Sequence, residues 1–197
     1  MAETKPGLKG KILILGLGNI IVSDDGVGIY VGRQVKDLLA DPSVDFIEAA
    51  LAGLQLLDYI CGYEHLVIID AIQTEGGMPG SLYYLTEESL RSTVRLASIH
   101  DVNLATALEL GRQMGMSVPE MLDIYAIEAA DLKTFSESCT PKVAEAIPAL
   151  AEQIAADIRE KRVSSSVTSS PGVQPPHNEP RTRHQYLPEL GCVFSSS

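Results

Sequence analysis

Three residues far apart in the chain have the types and settings for divalent-metal chemistry: Asp25, Asp70 and His100. An apolar run, Ile12-Leu13-Ile14-Leu15, breaks into the turn Gly16-Leu17-Gly18-Asn19 and then delivers Asp24-Asp25 just before a helical pattern. Asp70 closes a second apolar run, Leu66-Val67-Ile68-Ile69, and His100 sits in Ser98-Ile99-His100-Asp101 where another helical pattern begins. Two carboxylates and one imidazole suit a divalent first-row ion and leave coordination positions open for a further partner. A helix N-terminus disfavours imidazolium, so His100 is held in the neutral, metal-binding form. Asp101 stands beside it as an acceptor that orients the ring.

Each residue also has a purely structural reading. Asp25 near a helix start is favoured by the helix dipole. Asp70 can stabilise the loop after its strand, and His100 can be a solvent-facing residue of a first helical turn. A shared-proton dyad of Asp24 and Asp25 is a further alternative, opposed by the tendency of adjacent side chains to point apart.

The glycine turn has the layout of a phosphate cradle, in which free N–H groups at a helix start attract anions. Here the third glycine of the dinucleotide fingerprint is replaced by Ile21, and the Gly-Lys-Ser/Thr ending of a P-loop is absent. Two adjacent carboxylates would repel a pyrophosphate, so the loop favours a cation. The chain contains no Gly-x-Ser-x-Gly elbow and no cysteine with an evident histidine partner, which leaves no candidate covalent nucleophile.

Short β-branched runs alternate with longer helical patterns, the signature of a mostly parallel sheet covered by helices on both faces. The pattern predicts a three-layer αβα fold with about five strands, near residues 11–15, 44–47, 66–70, 81–85 and 122–127. The fourth follows Met78-Pro79-Gly80 and is expected to pair antiparallel at an edge. Helices are expected on the stripes Val27, Val31, Val35 and Leu38; Leu54, Leu57 and Ile60; and Leu104, Ala107, Leu108 and Gly111. A last helix starts with Thr140 as N-cap and Pro141 at its first position, with a kink expected at Pro148. In such sheets ligands bind outside the carboxyl ends of the strands, which is where Asp25, Asp70 and His100 would converge.

The 197 residues, 45% hydrophobic, suffice for one core. Residues 1–162 form the expected α/β domain, and the Ser- and Pro-rich residues 163–197 are expected to be a disordered tail in which His177 and His184 are solvated. A net charge of −11 leaves no basic face for nucleic acid or an anionic membrane surface. The N-terminus lacks the layout of a signal peptide, and no apolar stretch approaches the ~20 residues that span a bilayer, so the chain reads as cytoplasmic. Cys61, Cys139 and Cys192 are odd in number, widely spaced and read as reduced, with Cys61 in the core.

The residues Gly16-Leu17-Gly18-Asn19, Asp24-Asp25-Gly26-Val27-Gly28, Asp70-Ala71-Ile72, Pro79-Gly80 and His100-Asp101 resemble, in order and spacing, those of the nickel-iron hydrogenase maturation endopeptidases. The resemblance extends from Lys11 to about Arg162. It implies a twisted sheet sandwiched by helices, with metal contacts on Asp25, Asp70 and His100. It further implies a nickel-dependent endopeptidase, aspartic-type by family classification. Such an enzyme removes the C-terminal extension of a nickel-loaded hydrogenase large-subunit precursor as the last maturation step. Nickel would arrive with the precursor, and the same ligands could take another divalent metal in the isolated protein. The competing expectation is a non-enzymatic metal-binding or chaperone module holding a partner in the same crevice. Two features depart from the family pattern. Ala49-Ala50-Leu51-Ala52-Gly53 stands where a Gly-Thr turn is common, and the tail has no counterpart.

Overall fold

The structure, a computed structural model, describes residues 8–49, 56–85 and 99–168, with the backbone alone described at 8–9, 99–105 and 165–168. In chain order the elements are β1 (Leu8–Leu17), a 3-10 turn (Ser23–Gly26), α1 (Val27–Leu39), β2 (Val44–Ala49), α2 (Leu56–Ile60), β3 (Tyr63–Ile72), β4 (Leu82–Leu85), α3 (Ile99–Gln113), β5 (Met121–Glu128) and α4 (Pro141–Thr168). The strands form one sheet in the order β2-β1-β3-β5-β4. All neighbouring pairs are parallel except β4 with β5, which is the antiparallel edge expected after Pro79-Gly80.

Period-two alternation sends successive residues of the central strands into two separate cores. Ile12 and Ile14, Val67 and Ile69, and Tyr125 and Ile127 face one side. There they meet Val27, Val31 and Val35 of α1 and Val143, Ile147, Ile154 and Ile158 of α4. Leu13 and Leu15, Leu66 and Ile68, and Ile124 face the other, where Leu56, Leu57 and Ile60 of α2 and Ala107 and Leu108 of α3 cover them. Ile14, Leu15, Val67 and Ile68 are fully inaccessible. Each such side chain contributes about 1.5–3 kcal/mol on burial, so the β1–β3 pair is the rigid centre of the molecule.

Thr140 accepts the Ala144 N–H at 2.9 Å through its carbonyl, the first bond of α4. Pro148 lies inside that helix and both it and Ala144 are exposed, so the carbonyl that Pro148 leaves without its helical donor faces water. The apolar stripe of α4 ends before Arg162, yet the helix runs on to Thr168, past the domain boundary drawn from the sequence. Ion pairs anchor the helix just before that boundary: Lys161 Nζ stands 2.8 Å from Asp123 Oδ1, and Arg162 Nη1 2.6 Å from Asp41 Oδ2. The tail expectation for residues 169–197, with His177, His184 and Cys192, and the divergent segment 50–53 lie outside the described residues. No helix among the described residues is long and apolar enough to cross a membrane.

Candidate active site

The chain leaves β1 toward β2 on one side of the sheet and later returns to β3 on the other, so the strand order reverses between β1 and β3. Loops diverge at such a switch point and open a crevice at the carboxyl edge. Two glycines press the β1–α1 connection onto this edge. Gly18 has φ 126, and a Cβ there would lie 1.8 Å from the Asp25 carbonyl oxygen. A Cβ on Gly28 would lie 2.3 Å from the Ile69 carbonyl oxygen and 2.6 Å from that of Leu17. The first turn of α1 therefore rests on the ends of β1 and β3, one residue from Asp70.

Asp25 occupies the 3-10 turn above this edge and is partly exposed. Asp70, 4% exposed, follows Ile69 in β3, and its Oδ1 accepts the Ala71 N–H at 2.8 Å. Alternation puts it on the face that carries Leu66, Ile68 and Ile72, the face covered by α2 and α3. His100 lies in the first turn of α3. The far end of α3 is at the opposite, amino edge: Gly111 abuts Leu57 and Val118, and the connection to β5 is tied to β3 by Gly62 N–H to Ser117 O at 2.7 Å. A helix of 15 residues rises ~22 Å, which carries its first turn back toward the carboxyl edge. The structure thus brings Asp25 and Asp70 to one edge, while the side chains of His100 and Asp101 lie outside the described residues. Among the described residues no three His, Cys, Asp or Glu side chains form a metal-ligand cluster.

Asp24 and Asp25 are not a dyad. Asp24 is fully inaccessible and faces the β5–α4 connection. Its Oδ2 accepts the Ala130 N–H at 2.8 Å, the Asp131 N–H at 3.0 Å and the Thr140 hydroxyl at 3.0 Å, and its Oδ1 accepts the Thr140 N–H at 2.6 Å. The same connection pairs with the loop through a parallel bridge between Val22 and Ser136. Ser23 holds φ 34 between these contacts. Glu128, 1% exposed at the end of β5, ties down the β3–β4 loop by accepting the Thr74 N–H at 2.7 Å and its hydroxyl at 2.8 Å. Neither role is visible in the sequence, because the partners of each acid lie tens of residues away.

The described cysteines and histidine outside the edge supply no nucleophile. Burial first, and the Asp24 charge second, push the Cys139 thiol up to about 11. Cys61 packs against the α2/α3-side core as expected. His65 is buried at the opposite end of the sheet, its Nε2 2.8 Å from Asp123 Oδ2. Asp123 also accepts from the Tyr84 hydroxyl at 2.6 Å, and Lys161 lies 4.5 Å from the Tyr84 ring centre. Burial alone would raise the Asp123 carboxyl, but hydrogen bonds from His65, Lys161 and Tyr84 outweigh it and hold it at about 2.

A mostly parallel αβα sheet whose switch point carries acids on glycine-tightened loops, with no phosphate-binding ending, defines a doubly wound α/β protein whose ligand crevice lies at the carboxyl edge. The family is the more specific finding. A family model described as hydrogenase maturation protease matches residues 29–157, and the chain belongs to that family. It is similar to the hydrogenase 2 maturation protease of Escherichia coli K12, 29% identical over 157 residues covering 79% of this chain and 94% of that protein. Among solved structures it is similar to the E. coli hydrogenase maturating endopeptidase HybD, with a TM-score of 0.64, 30% identity and coverage of 77% of this chain and 93% of that one. The [NiFe] hydrogenase maturation protease HybD of Thermococcus kodakarensis gives a TM-score of 0.56 at 25% identity, covering 77% and 97%. The protein is a hydrogenase maturation endopeptidase, of the family that processes the carboxyl terminus of the large hydrogenase polypeptide.

Proposed function

We propose that this endopeptidase recognises its precursor by the nickel the precursor already carries. Asp25, Asp70 and His100 dock that ion at the β1/β3 switch point, and a single peptide bond is then hydrolysed to release the C-terminal extension. The observation that carries this reading is the convergence of Asp25 and Asp70 on one edge through the packing of Gly18 and Gly28. Oxygen donors of this kind accept a first-row divalent ion, and a neutral imidazole completes a set with positions left for the substrate's own ligands. With the Cys139 thiol buried and pushed up to about 11, water rather than a thiolate is the attacking group, which is the sense in which the enzyme is aspartic-type. The nickel is cargo of the precursor, so the protein needs no resident metal of its own. We place the reaction in the cytoplasm, where the precursor would still be open around its metal site.

Purified protein is expected to process a nickel-loaded precursor and to leave the nickel-free precursor intact, read by the mobility shift of the processed product. Equal rates on both forms would refute nickel recognition. Asp25→Ala, Asp70→Ala and His100→Ala are each expected to abolish processing.

A further inference from the structure

We infer that Asp24 is a positioning residue that sets the Asp25 carboxylate for metal docking by locking the 3-10 turn to the β5–α4 connection; this rests on the reading of Asp25 as a ligand. Four donors converge on the one inaccessible carboxylate: the Ala130, Asp131 and Thr140 N–H groups and the Thr140 hydroxyl, at 2.6–3.0 Å. A group that accepts this many bonds from backbone N–H groups is fixed in position and carries charge that the donors satisfy. The peptide that follows it is Asp25, whose carbonyl oxygen is in turn wedged against Gly18. On its other side Ser23 is held at φ 34, with its N–H donating to Ser136 O at 2.9 Å. The backbone carrying Asp25 is therefore pinned from three sides, and the Asp24 carboxylate supplies four of the bonds that pin it. The ligand's aim depends on contacts made more than a hundred residues downstream.

Asparagine at position 24 keeps the size but replaces one oxygen by an amide NH2. Whichever way it sits, that NH2 faces backbone N–H groups, donor against donor, so the lock opens on one side. Ni2+ alone, titrated calorimetrically into the purified full chain, is the probe. Asp24→Asn is expected to bind it about 10- to 100-fold more weakly than wild type, the range seen when a partner that orients a metal ligand is removed. Thr140→Val deletes only the hydroxyl and keeps the N–H, with an expected loss of about 3- to 10-fold, and Thr140→Ser restores wild-type affinity. In the processing assay the Asp24→Asn loss appears in KM for nickel-loaded precursor more than in kcat.

A merely structural Asp24 would lower Tm and leave Ni2+ affinity of the folded variant within twofold of wild type, and that result overturns the inference. Should Asp24→Asn fail to fold, Thr140→Val decides: unchanged affinity in that folded variant overturns it equally. Asp25→Asn is titrated in parallel. If it loses Ni2+ while Asp24→Asn does not, the positioning role fails and the ligand assignment stands. If Asp25→Asn binds as wild type, the ligand assignment itself fails.

Discussion

Replacing Gly28 with alanine tests whether the site depends on how closely α1 approaches the sheet. The new Cβ would stand 2.3 Å from the Ile69 carbonyl oxygen, 2.6 Å from the Leu17 carbonyl oxygen and 2.9 Å from the Ile69 carbonyl carbon. An ordinary carbon–oxygen contact is about 3.3 Å, so the closest one falls short by about 1 Å. Ile69 and Leu17 cannot yield, because β1 and β3 pair in parallel register from Ile12↔His65 to Gly16↔Ile69 in the centre of the sheet. The first turn of α1 must lift instead. Val27 and Val31, both fully inaccessible, then lose contact with the sheet, and a gap of that size forfeits a quarter to a half of each dispersion well. Overpacking costs about 1–3 kcal/mol, and backbone on both sides puts this site at the upper end. At 2–4 °C per kcal/mol for a chain of this size, Tm falls by about 6–12 °C. The same displacement moves the 3-10 turn relative to Asp70, so processing below the new Tm falls as well. Asp25→Ala is the contrast: it removes a proposed ligand without entering a core, and keeps Tm within about 2 °C while losing activity. Circular dichroism melts and the precursor assay give both quantities. A Gly28→Ala protein with wild-type Tm and full processing would refute the close-approach argument.

Three other outcomes follow from the buried acids and the thiol. Because the Asp123 carboxyl is held at about 2 in the folded protein, against an ordinary value near 3.9, its pairing contributes full stability above about pH 4. That contribution fades as pH falls toward 2, so the stability gap between wild type and Asp123→Asn, measured by urea unfolding, should close over that interval; a constant gap would contradict it. Glu128→Ala strips the Thr74 N–H and hydroxyl of their acceptor, and should cost about 1–3 kcal/mol and speed proteolytic nicking within residues 73–81. With its thiol pushed up to about 11, Cys139 should resist iodoacetamide at pH 8 in the native state, and processing should survive the treatment; rapid inactivation by its alkylation would reopen a thiol mechanism.

The strands were legible because their apolar runs are the fully buried stretches of β1, β3 and β5, and the expected edge strand β4 was marked by Pro79-Gly80. Their ends were less so. β1 begins at Leu8 and β3 at Tyr63, where pairing is carried by backbone hydrogen bonds that leave no hydropathy signal. The three proposed ligands were visible as polar residues closing apolar runs or opening helices. Residues acting through long-range partners were not. The Asp123 cluster depends on the register that sets His65 beside Met121, and on α4 passing over the sheet with Lys161. Asp123 interrupts the apolar run Leu122–Ile127 and His65 directly precedes the run Leu66–Ile69, which was the one available clue.

The clamp on Asp24 also explains why a glycine loop of nucleotide-binding outline serves different chemistry here. In a phosphate cradle the first helical turn leaves N–H groups open to an anion, and binding strength comes from that exposed positive field. Here the turn before α1 carries a carboxylate inward instead, where it takes N–H groups from the distant connection that leads into α4. The neighbouring Asp25 adds a second acid, partly exposed, at the edge that also carries Asp70. A pyrophosphate entering this edge would meet acidic side chains where it requires donors. Equilibrium dialysis with NAD or ATP should accordingly detect no saturable binding up to millimolar concentration. Saturable binding of either nucleotide that is lost on Gly28→Ala would mean that the loop works as its outline suggests, and that the acids do not govern what the edge accepts.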